Sequence, residues 1–456
     1  ARRRRDFAHP NRAVDAMSAS SLSPAATLRF RGELSALSSD ERRDLFDRSS
    51  LRDSQVSSVV SAIIERVRNE GDEALRYFAR DFDCVELSAL EVPGDTVRRA
   101  PGLLDTRTRE AIERAARNIE RVHRAWLPRE EQVEVEPGVI VSRRPDPLSR
   151  IGVYAPGGRA AYPSSVLMGA IPARVAGVGE IILCSPPGES GIPPDSVLAA
   201  AAIAGVHRVF AIGGAGAIAA MALGTGTVPR VDKIVGPGNA FVAEAKIQLA
   251  RAVAFDLPAG PSELLVIADE SVNAAVIARE ILAQAEHDPR AVVLAIAIGK
   301  EVAERIEAAL VDAVDSTRRT GIITESLRTR GGIVWVSDAM LALDAANRFA
   351  PEHLMVATQD PAAFLNLVRN AGTVLLGETS SVVFGDYITG ANHVLPTGGL
   401  ARCYSGLSTI DFFRWTTWQS VTAEAAARLA SDTAALAGAE GLYAHADAAA
   451  AWERVT

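Results

Sequence analysis

A chain of 456 residues, 48% hydrophobic and 23% charged, carries enough apolar material for two or more large cores and reads as a soluble globular protein. Its formal net charge of −8 argues against a nucleic-acid partner or an anionic membrane surface. Three widely spaced cysteines, Cys84, Cys184 and Cys403, exclude a disulfide framework or a CxxC metal site and fit a reducing, cytoplasmic compartment.

Residues 1–27 are Arg- and Ser-rich, with no apolar stretch after the arginines, and are expected to form a disordered or leader segment. Residues 28–136 are expected to form an N-terminal helical segment, because "SSVVSAIIERVRNE" and "REAIERAARNIERVH" space their apolar residues by three and four. The character changes after Pro137. "GVIVSRRPDPLSRIGVYAPGG" predicts a hairpin-like pair of short strands running into a glycine turn. "EIILCSPP", "RVFAIGG" and "KIVGPGN" then read as strands followed by turns, separated by Ala-rich helices. This alternation predicts a first Rossmann-like, doubly wound domain over 137–260, with ligand loops at the C-terminal ends of its strands. The most apolar run is broken by His207, Arg208 and several glycines, so it reads as packed core and not as a membrane span. Over 261–385, "ELLVIAD", "AVVLAIAIG", "GIIT", "GIVWVSD", "LMVAT" and "TVLLGE" predict the strands of a second such domain, as if by duplication. Residues 386–456 complete the chain as a loop and a C-terminal helical unit.

The helix expected from "SVNAAVIAREILAQAEH" places Ile277, Ile281 and Gln284 on one face, with His287 one turn on, before Asp288 and Pro289 stop it. Gln284 and His287 can reach one metal or one ligand from this spacing. They could equally be a core amide and a capping imidazole. Glu352 and His353 are adjacent in "APEHLMV", a pairing suited to proton transfer. His393 shares the loop "GDYITGANHVLPTGG" with Asp386, and His445 lies in "AEGLYAH" five residues after Glu440. A lone loop histidine is more often structural than functional. "GGAGAIAA" sets Gly214-x-Gly216-x-x-Ala219 between a predicted strand and helix, with Asp232 downstream, which is formally a dinucleotide fingerprint. Ala/Gly-rich turns of this kind also occur where no nucleotide binds.

Seven ordered blocks together carry a more specific signal: "GVYAPGGRAAYPSSVLMGAIPARVAG", "VDKIVGPGNAFVAEAK", "DLPAGPSELLVIAD", "LAQAEHDPRA", "APEHLMV", "GDYITGANHVLPTGG" and "AEGLYAH". From about residue 40 to 447 the chain resembles the histidinol dehydrogenases, zinc enzymes that make histidine from histidinol. The resemblance implies an α/β fold of two Rossmann-like doubly wound domains with small helical N- and C-terminal units. It implies Zn2+ held by Gln284, His287, Asp386 and His445, and acid/base work by Glu352 and His353. Ser262, His393 and Glu440 would contact substrate, together with His353 and the metal ligands. Tyr154, Gly216 and Asn239 would contact NAD, although the family usually has Gln where this chain has Gly216. Two successive hydride transfers to NAD would take an alcohol to an aldehyde and then to an acid. The partner implied is a second copy, in a homodimer whose C-terminal unit completes the neighbouring site. Two other readings stand beside this one. The first is a related zinc- and NAD-dependent dehydrogenase of another small polar alcohol, such as a sulfonated diol. The second is a catalytically silent metal- or metabolite-binding paralogue. Glu440 and His393 favour histidinol, and retention of Glu352, His353 and the full ligand set speaks against a silent protein.

Overall fold

A computed structural model describes residues 28–48, 54–157, 161–257 and 260–454. The leader expected over 1–27 lies outside the described residues. Two parallel sheets organise the chain. Their strands read as unbroken apolar runs because helices cover both faces, so no polar face is needed. Glu263–Ala268 is buried along its whole length, and Glu180–Ser185 nearly so.

The first sheet has five strands in the order Arg208–Ala211, Glu180–Ser185, Arg150–Tyr154, Lys233–Val235, Ala254–Phe255, all parallel. The second has six, in the order Phe30–Glu33, Gly331–Val336, Val292–Ile298, Glu263–Ala268, His353–Ala357, Thr373–Leu376, again all parallel. In each half the first strand of the α/β series is central, the next two extend one way and the last two the other. The winding therefore reverses beside Arg150–Tyr154 and beside Glu263–Ala268, the arrangement of doubly wound folds. A third sheet is antiparallel and joins Glu131–Glu136, Val139–Pro147 and Phe413–Val421.

Four local expectations change. Residues 28–136 are not helical throughout: Phe30–Glu33 is an edge strand paired with Gly332–Trp335, and Glu131–Glu136 is also a strand. Four residues are too few to show a period, and pairing with a distant strand decides their state. The anticipated hairpin does not form. Val139–Pro147 joins the antiparallel sheet, whereas Arg150–Tyr154 enters the parallel one. "GIIT" lies in the helix Thr320–Arg330, with Ile323 turned into the core. A short apolar run does not by itself separate a buried helix from a strand. The tail is helical only from Ala423; before it, the aromatic and β-branched "FRWTTWQSV" forms the strand Phe413–Val421.

Cys84, Cys184 and Cys403 are all free thiols. No helix among the described residues is long and apolar enough to cross a membrane.

One loop tie gives a testable pH dependence. The Asp72 carboxylate accepts from the Thr225 hydroxyl at 2.5 Å, the Thr227 hydroxyl at 2.5 Å and the Thr227 amide at 3.2 Å. Burial alone would raise its pKa, but these donors outweigh burial and lower it. A lowered folded-state pKa stabilises above the ordinary carboxylate range and loses that contribution as pH falls through the folded value. Asp72→Ala should therefore cost about 1 kcal/mol at neutral pH, discounted for partial exposure. The difference in thermal midpoint from wild type should close at acid pH. A gap that persists undiminished in acid would show that the carboxylate charge is not what ties this loop.

Candidate active site

Helices joining parallel strands run antiparallel to them, so a helix C-terminus returns to the edge where strands begin. The helix Ala274–Ala285 therefore delivers Gln284 and His287 to the N-terminal edge of the second sheet. Ser262 precedes Glu263–Ala268 at that edge, and Glu352 and His353 stand at the start of His353–Ala357. The short helix Val382–Tyr387 brings Asp386 to the same place. Ligand loops were expected at strand C-termini. In this half the candidate residues gather at the opposite ends.

Glu263 links the pair. Its amide donates to the Glu352 carboxylate at 2.6 Å, and its carbonyl accepts from the His353 Nδ1–H at 3.1 Å. The Glu263 side chain is gripped by Arg48 at 2.9 and 3.1 Å and by the Gly398 amide at 2.9 Å. Arg48 also donates to the Phe349 carbonyl at 2.7 Å, and its guanidinium lies 3.3 Å from the centre of the Phe349 ring. His353 sits between two carboxylates, with Nδ1 3.6 Å from Glu352 and Nε2 3.5 Å from Asp386. Burial would drive this imidazole neutral, but the two carboxylates overcome it and push its pKa up to about 10. Burial raises Glu352 above the usual carboxylate range, partly opposed by His353 and the Glu263 amide. Such neighbours titrate as a pair.

Asp386 is buried, which alone would raise its pKa, yet the hydrogen bond and charge of His353, with His393 and His287 beyond, hold it low. Burial lowers His287, against the pull of Asp386. Gln284 is 1% exposed, and its Oε1 has no hydrogen-bond partner. A buried acceptor left in this way is costly. The His393 Nδ1–H donates to the Asp386 carbonyl at 2.9 Å, and its Nε2 lies 3.5 Å from the Ser165 hydroxyl of the first half. Asn392 donates to the Met168 carbonyl at 2.9 Å, so the loop after Asp386 joins the two halves beside the cluster.

Among the described residues, no three His, Cys, Asp or Glu side chains of the chain converge as a metal site. Of the four anticipated ligands, Gln284 is an amide and His445 stands apart. His445 and Glu440 are exposed, on or beside the helix Tyr443–Ala450, which packs chiefly against Ala423–Ala439 and Ala451–Arg454. The single chain thus brings together Gln284, His287, Asp386, Glu352, His353 and His393, but not His445 or Glu440.

The anticipated cofactor residues follow the strands of the first sheet. Tyr154 ends its central strand, with its hydroxyl accepting from the Gly214 amide at 3.1 Å. Asn239 caps the helix Ala240–Gln248 through its Oδ1. A Cβ on Gly216 would meet Phe78 at 3.2 Å, so the bare glycine lets the helix Gly214–Leu223 approach Asp72–Phe82 closely. The dinucleotide fingerprint fails at its acidic member. Asp232 accepts from the Ser149 and Arg150 amides at the N-terminal edge of the sheet, the end away from Gly214. The "VGPGN" turn is likewise engaged internally: the Gly236 amide donates to Asp256, which also pairs with buried Lys246 at 2.7 Å.

The sequence model for histidinol dehydrogenase matches residues 46–452. The chain belongs to the histidinol dehydrogenase family. It is 45% identical over 410 residues to the histidinol dehydrogenase of Methanothermobacter thermautotrophicus, covering 90% of this chain and 96% of that one. To that of Listeria monocytogenes it is 43% identical over 399 residues, 86% of this chain and 92% of the relative. The crystal structure of histidinol dehydrogenase from Elizabethkingia anophelis superposes with a TM-score of 0.89 at 34% identity, covering 94% of this chain and 98% of that one. As a histidinol dehydrogenase family member the chain is an oxidoreductase enzyme.

Three buried charged residues escaped the reading of motifs: Arg48 and Glu263 behind the Glu352–His353 pair, and Glu280, whose carboxylate accepts from the Ser381 hydroxyl and the Val382 amide. Glu263 opens an otherwise apolar strand, and Glu280 lies one helical turn before Gln284 on the inward face; both were visible as charges at buried positions. Arg48 carried no such signal, because its partners are 215 and 301 residues away.

Proposed function

We propose that this chain oxidises L-histidinol to L-histidine by way of L-histidinaldehyde, using two NAD and one Zn2+ per subunit, as a cytoplasmic homodimer in histidine biosynthesis. The observation that carries this reading is a buried acid/base pair, Glu352 and His353, held by the backbone N–H and C=O of the single residue Glu263, with Asp386 beside His353. An amide oxygen, an imidazole and a carboxylate are donors that suit zinc, and the unpartnered Gln284 Oε1 is an acceptor awaiting a cation. These residues fit the metal.

Zinc when bound supplies a Lewis acid that fixes the substrate's nitrogen atoms and reacting carbon, and NAD supplies the hydride acceptor. His353 takes the hydroxyl proton as the alcohol loses its hydride. Glu352 and Asp386 raise its affinity for that proton. Asp386, once engaged in holding a cation, would offer His353 less negative charge, and the imidazole would return towards the range where it can act as a base. Glu352, with its carboxyl made more basic by burial, takes a proton from the water that adds to the aldehyde. The hydrate then loses a second hydride and a proton to leave the carboxylate. Ser262, His393 and Glu440 are assigned to the substrate, and Tyr154, Gly216 and Asn239 to NAD.

His445 and Glu440 would act on the partner's site. Their exposure, and the bare apolar side chains of Leu442, Tyr443 and Leu436 around them, support a unit built to be covered by a second copy. Mixing His353→Asn with His445→Asn protein should then restore activity, because each mixed dimer holds one site with both residues intact. With random exchange the recovery is about a quarter of wild type. No recovery despite proven subunit exchange would place His445 in its own chain's site.

The deciding assay is NADH formation by zinc-loaded protein offered L-histidinol beside other amino alcohols and sulfonated diols. Two NADH per histidinol are expected. Turnover of a sulfonated diol alone would move the activity to another alcohol, and no turnover of any would indicate a silent paralogue.

A further inference from the structure

Glu280 is a buried carboxylate, 7% exposed, that pairs with no cation among the described residues. Burial of such a group is tolerated only where hydrogen bonds replace water. Glu280 has two: its Oε1 accepts from the Ser381 hydroxyl at 2.5 Å and its Oε2 from the Val382 amide at 2.9 Å. Ser381 and Val382 begin the helix Val382–Tyr387, and Glu280 lies within Ala274–Ala285. One carboxylate therefore clamps two helices together. Gln284 lies four residues beyond Glu280, and Asp386 four residues beyond Val382, one helical turn in each case. His287, three residues past Gln284, is close enough to Asp386 to feel its charge.

We propose that Glu280 is a positioning residue for the metal site, setting Gln284 of one helix, and His287 just past its end, against Asp386 of the other. This rests on the zinc assignment made above. A core residue would serve packing alone and could be apolar. A bidentate carboxylate instead fixes the register of the Val382 helix along the Ala274 helix, since each oxygen has its own donor at one end of that helix. Supports of this kind act on metal affinity through the geometry of the ligands they hold.

The test is zinc affinity of the full-length protein, measured by competition with a chromogenic chelator, beside the visible spectrum of the cobalt-substituted form. Glu280→Gln keeps the volume but turns a donor toward either Ser381 or Val382, and should weaken zinc about 10-fold. Ser381→Ala removes one bond without touching the buried charge, and should weaken zinc by a smaller factor while shifting the cobalt bands. His287→Asn, which deletes a ligand, sets the scale of full loss. A purely structural role would lower the thermal midpoint of Glu280→Gln and leave zinc affinity and the cobalt spectrum as in wild type, which would overturn the proposal. Should Glu280→Gln fail to fold, Ser381→Ala decides alone by the same readouts. Wild-type protein that binds no zinc would overturn the metal reading, and the positioning role with it.

Discussion

Glu352→Gln should retain zinc, keep its fold and stall after the first oxidation, releasing or holding the aldehyde with one NADH formed per histidinol instead of two. The carboxylate is 6% exposed and fixed by the Glu263 amide at 2.6 Å, with His353 Nδ1 3.6 Å away. A glutamine has the same shape and can still accept that amide bond, so the site should stay assembled. What it lacks is basicity: an amide does not take a proton from water. General-base catalysis of this kind is worth roughly 10²–10⁴ in rate, and the overall rate of acid formation should fall by that factor. Trapping the aldehyde with a carbonyl reagent, together with zinc analysis of the same preparation, checks both halves of the expectation. Complete oxidation at the wild-type rate would remove Glu352 from the chemistry. Loss of zinc along with activity would show instead that the substitution disturbs the Asp386 side of the site.

Arg48→Met should cost roughly 3–5 kcal/mol, because it leaves the Glu263 carboxylate buried without its cation. The side chains of this pair are 3% and 2% exposed, and the bond is bidentate at 2.9 and 3.1 Å. The guanidinium also covers the Phe349 ring and its carbonyl, contacts a methionine replaces only in part. A lone carboxylate beside Glu352 would disturb the proposed acid/base pair as well, so activity should fall at temperatures where the protein is still folded. The check is the double variant. Arg48→Met with Glu263→Gln no longer buries a lone charge and should recover much of the lost thermal midpoint, a coupling that a cycle of the two single variants measures. Additive losses would mean that Arg48 stabilises by packing alone.

Much of the site was legible because its chemistry is carried by short motifs. "LAQAEHDP" put Gln284 and His287 one turn apart with the stop after His287, but the helix closes earlier, at Ala285, so Gln284 lies in its last turn and His287 two residues past its end. "APEHLMV" set Glu352 and His353 at the entry to a strand, where they stand. Glu263, Glu280 and Arg48 were not legible as site residues, since a buried charge declares its role only through its partners. Those partners are Arg48 and the Gly398 amide for Glu263, the start of the Asp386 helix for Glu280, and Glu263 for Arg48. The GxGxxA pattern misled in the opposite direction. Its glycine Gly216 answers a packing need against Phe78, and its Asp232 caps the far end of the sheet.

By itself, the sequence determined what local physics determines. Unbroken apolar runs between Ala-rich helices specify parallel strands covered on both faces, and the ordered motifs specify the family. Tertiary structure decided whatever depends on partners far along the chain. Phe30–Glu33 becomes a strand because Gly332–Trp335 offers it an edge, and Val139–Pro147 leaves its expected hairpin because Phe413–Val421 pairs along its length. The site gathers at the N-terminal ends of the second sheet for the same reason. Helix return, not residue type, sets which edge a side chain reaches, and strand register is fixed by burial between segments that no local window contains.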